Sequence, residues 1–142
     1  MIIAYIDGGA RGNPGPAGYG VHILRDDGTV MDELRGALGV TTNNVAEYRG
    51  LLAALAYAVA GNHPFLHVRS DTLLLVRQML GQYRVKNTGL QPLHRRAHEL
   101  IARLQKVTFE HVPRHMNTDA DRLANLAMDE AASGAQETGG SG

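Results

Sequence analysis

The stretch MIIAYIDGG, residues 1–9, decides the fold because it predicts where a buried strand runs and where it ends. Its first six residues are apolar, with β-branched side chains at Ile2, Ile3 and Ile6, which predicts a buried strand. The two glycines that follow predict a turn that stops this strand at Asp7. An ionised carboxylate at the end of an apolar strand is costly unless it meets a cation, so Asp7 is a candidate functional residue.

The rest of the chain predicts a mixed sheet covered by helices. Residues 12–18 are rich in Gly and Pro and predict a loop. Further strands are expected at Tyr19–Leu24, Thr29–Gly36, Phe65–Arg69 and Val107–Val112, and helices at Asn43–Ala60, Thr72–Leu80, Gln91–Leu104 and Asn117–Ala132. Strands that come first in a meander and then alternate with helices indicate an α/β fold.

Composition limits the possible classes of protein. The 142 residues include 14 Lys+Arg, 14 Asp+Glu and no Cys, which excludes disulfides and thiolate metal sites. One domain is expected over residues 1–133, with a flexible Gly/Ser-rich tail or linker at 134–142. No apolar run approaches the roughly 20 residues of a membrane span and no leader pattern is present, so a cytoplasmic location is expected. The domain is also expected to be a monomer. Zero net charge argues against binding a polyanion by bulk charge alone.

Four acids stand at the ends of elements or on otherwise apolar faces: Asp7, Glu47, Asp71 and Asp121. Each has an ordinary alternative role: a turn residue for Asp7, a capping-box partner of Asn44 for Glu47, a helix N-cap for Asp71, and a dipole-stabilising first-turn acid for Asp121. Sharing one site, the four would repel one another and need divalent cations. Oxygen-only ligands favour Mg²⁺ first and Mn²⁺ second.

Four blocks of sequence, in order along the chain, carry a more specific pattern. They are DGGARGNPGPAG at 7–18, TNNVAEY at 42–48, Ser70-Asp71, and VPR at 112–114 followed by Asn117 and Ala120-Asp121. Together they resemble the ordered motifs of type 1 ribonuclease H over about residues 1–132. The resemblance implies a ribonuclease H-like fold, with a five-stranded mixed sheet in the order 3-2-1-4-5 flanked by helices. It also implies an endonuclease that hydrolyses the RNA strand of RNA/DNA hybrids with two Mg²⁺ ions, leaving 3′-hydroxyl and 5′-phosphate ends.

By resemblance, the four acids are the catalytic metal ligands. Asp7 is expected to bridge the two ions, Asp71 and Asp121 to hold one each, and Glu47 to ligate one and position substrate or water. Relatives have a mobile His or Arg that helps product release in the loop before the last acid. Arg114 is favoured here for that role over His115 and His111.

Substrate contacts are expected from three asparagines, one threonine and two basic residues. Asn13, Asn43 and Asn44 have amides that can read a 2′-hydroxyl, although a turn or a helix cap would explain them equally well. Thr42 matches a position that contacts the DNA phosphate in relatives, with a plain N-cap as the alternative. Arg84 and Lys86 begin a stretch, ending at Lys106, that has six basic residues and one acid. Such a stretch is either a solvated helix face or a track for phosphates.

Other functions remain open at this point. A hybrid-binding module without catalysis and a different metal nuclease of the same fold, such as a resolvase or transposase, are the alternatives. Some bacterial relatives fuse this domain to a phosphatase-like one, for which residues 134–142 would be a suitable linker. The pair His94/His98 has i,i+4 spacing on a predicted helix, but no His-Glu-x-x-His pattern accompanies it, which disfavours zinc.

Overall fold

A computed structural model describes the backbone of residues 1–141 and the side chains of residues 1–134. Within this range the strands are β1 (Ile2–Ala10), β2 (Gly15–Arg25), β3 (Val30–Thr41), β4 (Phe65–Ser70) and β5 (Lys106–His111). The helices are α1 (Asn43–Ala60), α2 (Leu73–Met79), α3 (Gln91–Ile101) and α4 (Thr118–Ser141), with a 3₁₀ turn at Arg114–Met116 before α4. In the described part of the chain, no helix is long and apolar enough to cross a membrane.

The five strands form one mixed sheet in the order β3-β2-β1-β4-β5, which confirms the predicted fold. β1 pairs antiparallel with β2 and parallel with β4, and β4 pairs parallel with β5. In this register Asp7 lies opposite Gly20, and Ile6 lies opposite Ser70. The carboxyl ends of β1 and β4 therefore meet at one edge of the sheet.

Helices cover both faces of the sheet, because side chains alternate along each strand. Ile6 and Val21 belong to the hydrophobic core that also contains Leu51 of α1 and Leu100 of α3. The opposite alternation places Gly20 against the first turns of α4. The sheet thus separates a layer formed by α1 and α3 from a layer formed by α4. Residues of both layers can reach the edge where β1 and β4 end.

Two boundaries predicted around the first glycines are wrong. β1 continues through the predicted turn to Ala10, and β2 begins at Gly15, inside the predicted loop. The reason is pairing between the strands, since Gly8 faces Tyr19 and Ala10 faces Ala17 in the antiparallel ladder. Only residues 11–14 remain as the connection. α4 continues to Ser141, past the predicted helix end at Ala132. The predicted role of residues 134–142 as a tail or linker stays a prediction, and their side chains from residue 135 onward lie outside the described part of the chain.

Candidate active site

A polar cavity of about 470 Å³ opens where β1 and β4 end and α1 and α4 begin. All four predicted acids line it: Asp7, Glu47, Asp71 and Asp121. They come from β1, α1, the loop after β4, and α4, so the fold brings together residues that are up to 114 positions apart. Asn43, Asn44, Thr72, Arg114 and Asn125 complete the polar part of the wall.

Asp7 has the most perturbed electrostatics of the four acids. Burial raises its pKa to about 8, the carboxylate of Asp71 adds to the rise, and Asp121 adds further; a hydrogen bond from the backbone of Gly8 acts in the opposite direction. Asp7 is thus a largely buried acid that is also close enough to Asp71 and Asp121 for their negative charges to disfavour its ionised form. Such an arrangement favours bound cations.

The side chain of Glu47 forms a hydrogen bond with Thr72 and takes no part in capping α1. The hydroxyl of Thr72 donates to Glu47 Oε1 at 2.8 Å. Burial raises the pKa of Glu47 to about 7, with Thr72 opposing the rise and Asp71 adding to it. The N-cap of α1 is Thr42, whose hydroxyl oxygen accepts from the backbone N–H of Val45 at 3.3 Å. The alternative of a capping box with Asn44 is therefore not what the structure forms.

Two glycines let the helices reach the sheet at the site. A Cβ on Gly8 would lie 2.4 Å from the backbone carbonyl of Ala46, the residue before Glu47. A Cβ on Gly20 would lie 2.4 Å from the backbone oxygen of Ala120, the residue before Asp121. Real Cβ atoms do not approach so closely, and thus each glycine fixes how near a helix-borne acid comes to Asp7.

Asn117 connects the start of α4 to the end of β1. Its side chain is buried, its Nδ2 donates to the backbone oxygen of Ile6 at 2.9 Å, and its own backbone oxygen accepts from the N–H of Asp121 at 3.1 Å. Asn125 donates to the backbone oxygen of Asp121 from the exposed side at 2.9 Å. Asn117 belongs to one of the four sequence blocks, but the sequence analysis assigned it no role. Its place at the start of a predicted helix was the one feature that could have pointed to its role.

Arg114 lies where the sequence predicted, at the rim of the cavity. Its Nε is 4.0 Å from Asp71 Oδ2, and its side chain is 92% exposed whereas that of Asp71 is 13% exposed. His111 takes a different place, with Nε2 3.2 Å from the backbone oxygen of Asp71, and His115 does not line the cavity. α2 is capped by Thr72, so Asp71 is not the N-cap of that helix.

The predicted substrate residues divide into two groups. Asn43 and Asn44 line the cavity, and Asn43 Oδ1 accepts from the backbone N–H of Ala10 at 2.7 Å. Asn13 Oδ1 accepts from the backbone N–H of Asn43 at 3.0 Å, which ties the 11–14 connection to the start of α1. Asn13 and Thr42 are thus beside the cavity and not part of its wall.

The two predicted basic contacts are farther away. Arg84 and Lys86 are exposed in the connection between α2 and α3, and Arg84 lines a separate cavity.

A second group of ionisable side chains, which the sequence did not indicate, lies outside the acid cavity. In it His22 contacts Glu33 at 3.0 Å and Asp119 at 3.6 Å. The guanidinium of Arg122 lies 2.6 Å from Glu33.

Residues 5–127 match the family model described as reverse transcriptase-like. Ribonuclease HI of Halobacterium salinarum is 39% identical over 130 residues, which are 92% of this chain and 65% of that protein. The structure of RNase H1 from this archaeon superposes with a TM-score of 0.87, covering 91% of this chain and 98% of that one. The chain belongs to the ribonuclease H family.

Two other ribonuclease H proteins are similar in sequence and structure. The bifunctional protein Rv2228c of Mycobacterium tuberculosis is 47% identical over 135 residues, 94% of this chain and 37% of that protein. The structure of its N-terminal RNase H domain has a TM-score of 0.90 and covers 94% of this chain and 97% of that one. LC11-RNase H1, solved in complex with an RNA/DNA hybrid, is 42% identical with a TM-score of 0.87. The match covers 93% of this chain and 99% of that one. The chain spans 37% of the length of the first curated relatives that it matches.

Proposed function

We propose that this ribonuclease H domain is an endonuclease that hydrolyses the RNA strand of RNA/DNA hybrids and leaves 3′-hydroxyl and 5′-phosphate ends. The observation that carries the proposal is the convergence of Asp7, Glu47, Asp71 and Asp121 on one polar cavity. The fold and family support the reaction class, and the relative solved with an RNA/DNA hybrid supports the substrate.

The residues of the cavity fit a pair of Mg²⁺ ions, with Mn²⁺ as a substitute. Every ionised ligand is a carboxylate, and hard oxygen ligands are what these ions prefer. Burial is the main cause of the raised pKa of Asp7, about 8, and the charges of Asp71 and Asp121 add to it, while Arg114 reaches no closer than 4.0 Å to Asp71. Bound cations would offset both effects. When bound, the two ions supply the positive charge that activates the attacking water and stabilises the leaving 3′ oxygen.

The protein side chains have distinct tasks in this proposal. Asp7 interacts with the charges of both Asp71 and Asp121, so it would be the acid that contributes to holding both ions. Asp71 and Asp121 would each hold one ion. Because Thr72 occupies Oε1 of Glu47, the second carboxylate oxygen is the one left to ligate an ion or to orient substrate or water. Arg114, exposed at the rim, assists departure of the cleaved strand.

Recognition of the RNA strand is assigned to the start of α1. The Oδ1 atom of Asn43 is engaged by Ala10, so its amide protons are what it offers to a 2′-hydroxyl. Asn44 shares the same wall, and Asn13 supports both by fixing the start of the helix. The hydroxyl of Thr42 accepts from Val45, which leaves its proton for a DNA phosphate.

Arg84 and Lys86 are assigned to more distant phosphates. Their contacts are electrostatic, so the contribution of both residues to hybrid binding falls as salt rises.

Two further expectations of the sequence accompany this proposal. One is a cytoplasmic monomer. The other is fusion to a second domain through residues 134–142, which is supported by the match to 37% of a relative named as bifunctional.

The test is cleavage of end-labelled RNA/DNA hybrid beside RNA/RNA and DNA/DNA duplexes, with Mg²⁺ and Mn²⁺ compared and the product ends mapped. We expect cleavage of the hybrid RNA strand alone. The Asp71→Asn variant should lose activity while it keeps its fold, and Asp26→Asn, an exposed acid at the opposite end of β2, serves as its control. Cleavage of DNA/DNA at a comparable rate, or an active Asp71→Asn variant, would contradict the proposal.

A further inference from the structure

A second cavity, of about 710 Å³, lies between the end of α2, the 81–85 connection and α3. Its wall includes Gln78, Tyr83, Gln91, His94 and His98, together with two arginines. None of the four acids of the candidate active site belongs to this wall. This cavity therefore shares no lining residue with the candidate active site.

The two histidines of this cavity face each other across one turn of α3. Their Nε2 atoms are 3.2 Å apart, and their ring centroids are 4.5 Å apart with the ring planes at 76°. The contact is an N–H···N hydrogen bond, so one of the two Nε2 atoms carries a proton and the other accepts it. Within the described residues, neither ring has an ion pair with a carboxylate.

We propose that His94 and His98 chelate a Zn²⁺ ion through their two Nε2 atoms. Zinc binds imidazole nitrogen at about 2.0–2.1 Å. For an ion at about 2.05 Å from both Nε2 atoms, which are 3.2 Å apart, the N–Zn–N angle would be about 103°. This is close to the tetrahedral angle of about 109° that four-coordinate zinc prefers. Chelation further requires that both rings turn their Nε2 lone pairs from each other towards the ion, a rotation about side-chain torsions of two residues that are both on the surface of α3.

The protonation state of the pair suits this role. Metal-binding histidine must be neutral, and the pKa of His98 lies below its ordinary value because of partial burial and the neighbouring His94. Chelation needs a lone pair on both Nε2 atoms. The proton now shared between them is therefore relocated to Nδ1 of its own ring, with no net proton release.

Other groups of the wall limit the affinity. Arg84 and Arg95 place positive charge in the same cavity, which opposes a divalent cation. Two protein ligands leave two positions of a tetrahedral ion to water or to anions, and anions are attracted by the same arginines. Gln91 donates its Nε2 to the backbone oxygen of Val85 at 3.2 Å, which leaves its carbonyl oxygen as a further donor in the wall. We therefore expect a reversible site, weaker than a four-ligand structural zinc site.

The sequence pattern that disfavoured zinc concerned a different use of the metal. A His-Glu-x-x-His motif adds a catalytic base to two ligands, and its absence excludes that type of protease site only. Histidines four positions apart occur on many helices, so the spacing of His94 and His98 alone does not indicate a metal site. The structure adds the 3.2 Å approach of the two Nε2 atoms and a cavity large enough for an ion and its remaining ligands.

The test is calorimetric titration of the protein with Zn²⁺ in a buffer that does not chelate metals, with Mg²⁺ in large excess to occupy the carboxylates. We expect one zinc site, weakened at least about tenfold by His94→Gln and equally by His98→Gln. His63→Gln is the matched control, because His63 stacks on Tyr57 away from this cavity. Circular dichroism of each variant verifies the fold.

Titration with Co²⁺ supplies a second readout, since a tetrahedral site gives strong visible absorption that both α3 variants should lose. Absence of zinc binding to the parent protein overturns the proposal. So does binding that persists in both α3 variants, or binding that is lost in His22→Gln instead, because that result places the ion at the His22, Glu33 and Asp119 group.

Discussion

Asn117, just before α4, donates its side-chain N–H to the backbone oxygen of Ile6 at 2.9 Å. Ile6 immediately precedes Asp7, and the backbone oxygen of Asn117 accepts from the N–H of Asp121 at 3.1 Å. One buried amide thus fixes the separation between two of the four acids. A residue with no place in the cavity wall thereby controls the geometry inside it.

We predict that Asn117→Ala impairs metal use more than it impairs folding. Loss of a buried hydrogen bond costs about 1–3 kcal/mol of unfolding free energy, and α4 becomes less firmly held to β1. Urea denaturation measures the loss of unfolding free energy. The effect on metal use is measured as the Mg²⁺ concentration at half-maximal cleavage, which should rise. Asn125→Ala removes an exposed bond to the same helix turn and should change stability less. An unchanged Mg²⁺ requirement in Asn117→Ala would show that the bond is structural only.

Gly8 and Gly9 allow a matched comparison on one strand. A Cβ at position 8 would meet the backbone of Ala46 at 2.4 Å, whereas a Cβ at position 9 would lie at an ordinary 3.5 Å from the side chain of Met128. Gly8→Ala should therefore push α1 and Glu47 away from β1, lowering stability by about 1–3 kcal/mol and cleavage with it. Gly9→Ala should leave the denaturation midpoint nearly unchanged. Equal midpoints for the two variants would contradict the close approach of α1.

These glycines also show what the sequence could and could not predict. Asp7 and Glu47 stood out because an acid is unfavourable at the end of an apolar strand or on an apolar helix face, whereas Asp71 and Asp121 also had ordinary roles at helix starts. Only the resemblance of the ordered motifs to ribonuclease H joined all four acids in one site and implied the strand order. The pair Gly8-Gly9 was interpreted as a turn, since glycine after an apolar run usually ends a strand. Only the folded chain shows that a helix lies on Gly8. The hydrogen bond from Thr72 to Glu47 was likewise not predictable from the sequence, because it joins residues that are 25 positions apart.

The pH dependence of stability should reflect the acid cluster when divalent ions are removed. The folded-state pKa of Asp7 is about 8, above its ordinary value of 3.8, so the fold favours the protonated form. Its stabilising contribution is complete below pH 3.8 and is lost as pH rises towards 8. Glu47, with a folded-state pKa of about 7, acts in the same direction. Each pH unit in this interval costs up to about 1.4 kcal/mol per group.

Thermal denaturation in a chelator from pH 5 to pH 9 measures this effect. The parent protein should become less stable as pH rises, and Asp7→Asn, which cannot ionise at that position, should lose less stability over the same range. Added Mg²⁺ should raise the melting temperature of the parent at pH 9 more than that of the variant. A parent and variant with parallel pH profiles would show that Asp7 is not the group responsible.

Arg114 is expected to act after the chemical step. Its side chain is exposed, its nearest carboxylate contact is Asp71 at 4.0 Å, and among the side-chain hydrogen bonds of the described residues none involves its guanidinium. A mobile cation at the rim can pair with a departing phosphate without holding the metal ligands. Arg114→Ala should therefore slow multiple-turnover cleavage by about tenfold, equivalent to about 1.4 kcal/mol, while single-turnover cleavage with excess enzyme stays near the parent rate.

The matched control for Arg114 is His115→Ala, the next residue of the same turn. It should have little effect under either condition, because His115 does not line the cavity. The opposite result, a turnover defect in His115→Ala with Arg114→Ala unaffected, would transfer the role to the histidine. A single-turnover defect in Arg114→Ala would instead place the guanidinium in the chemical step, where its approach to Asp71 would matter for ion binding.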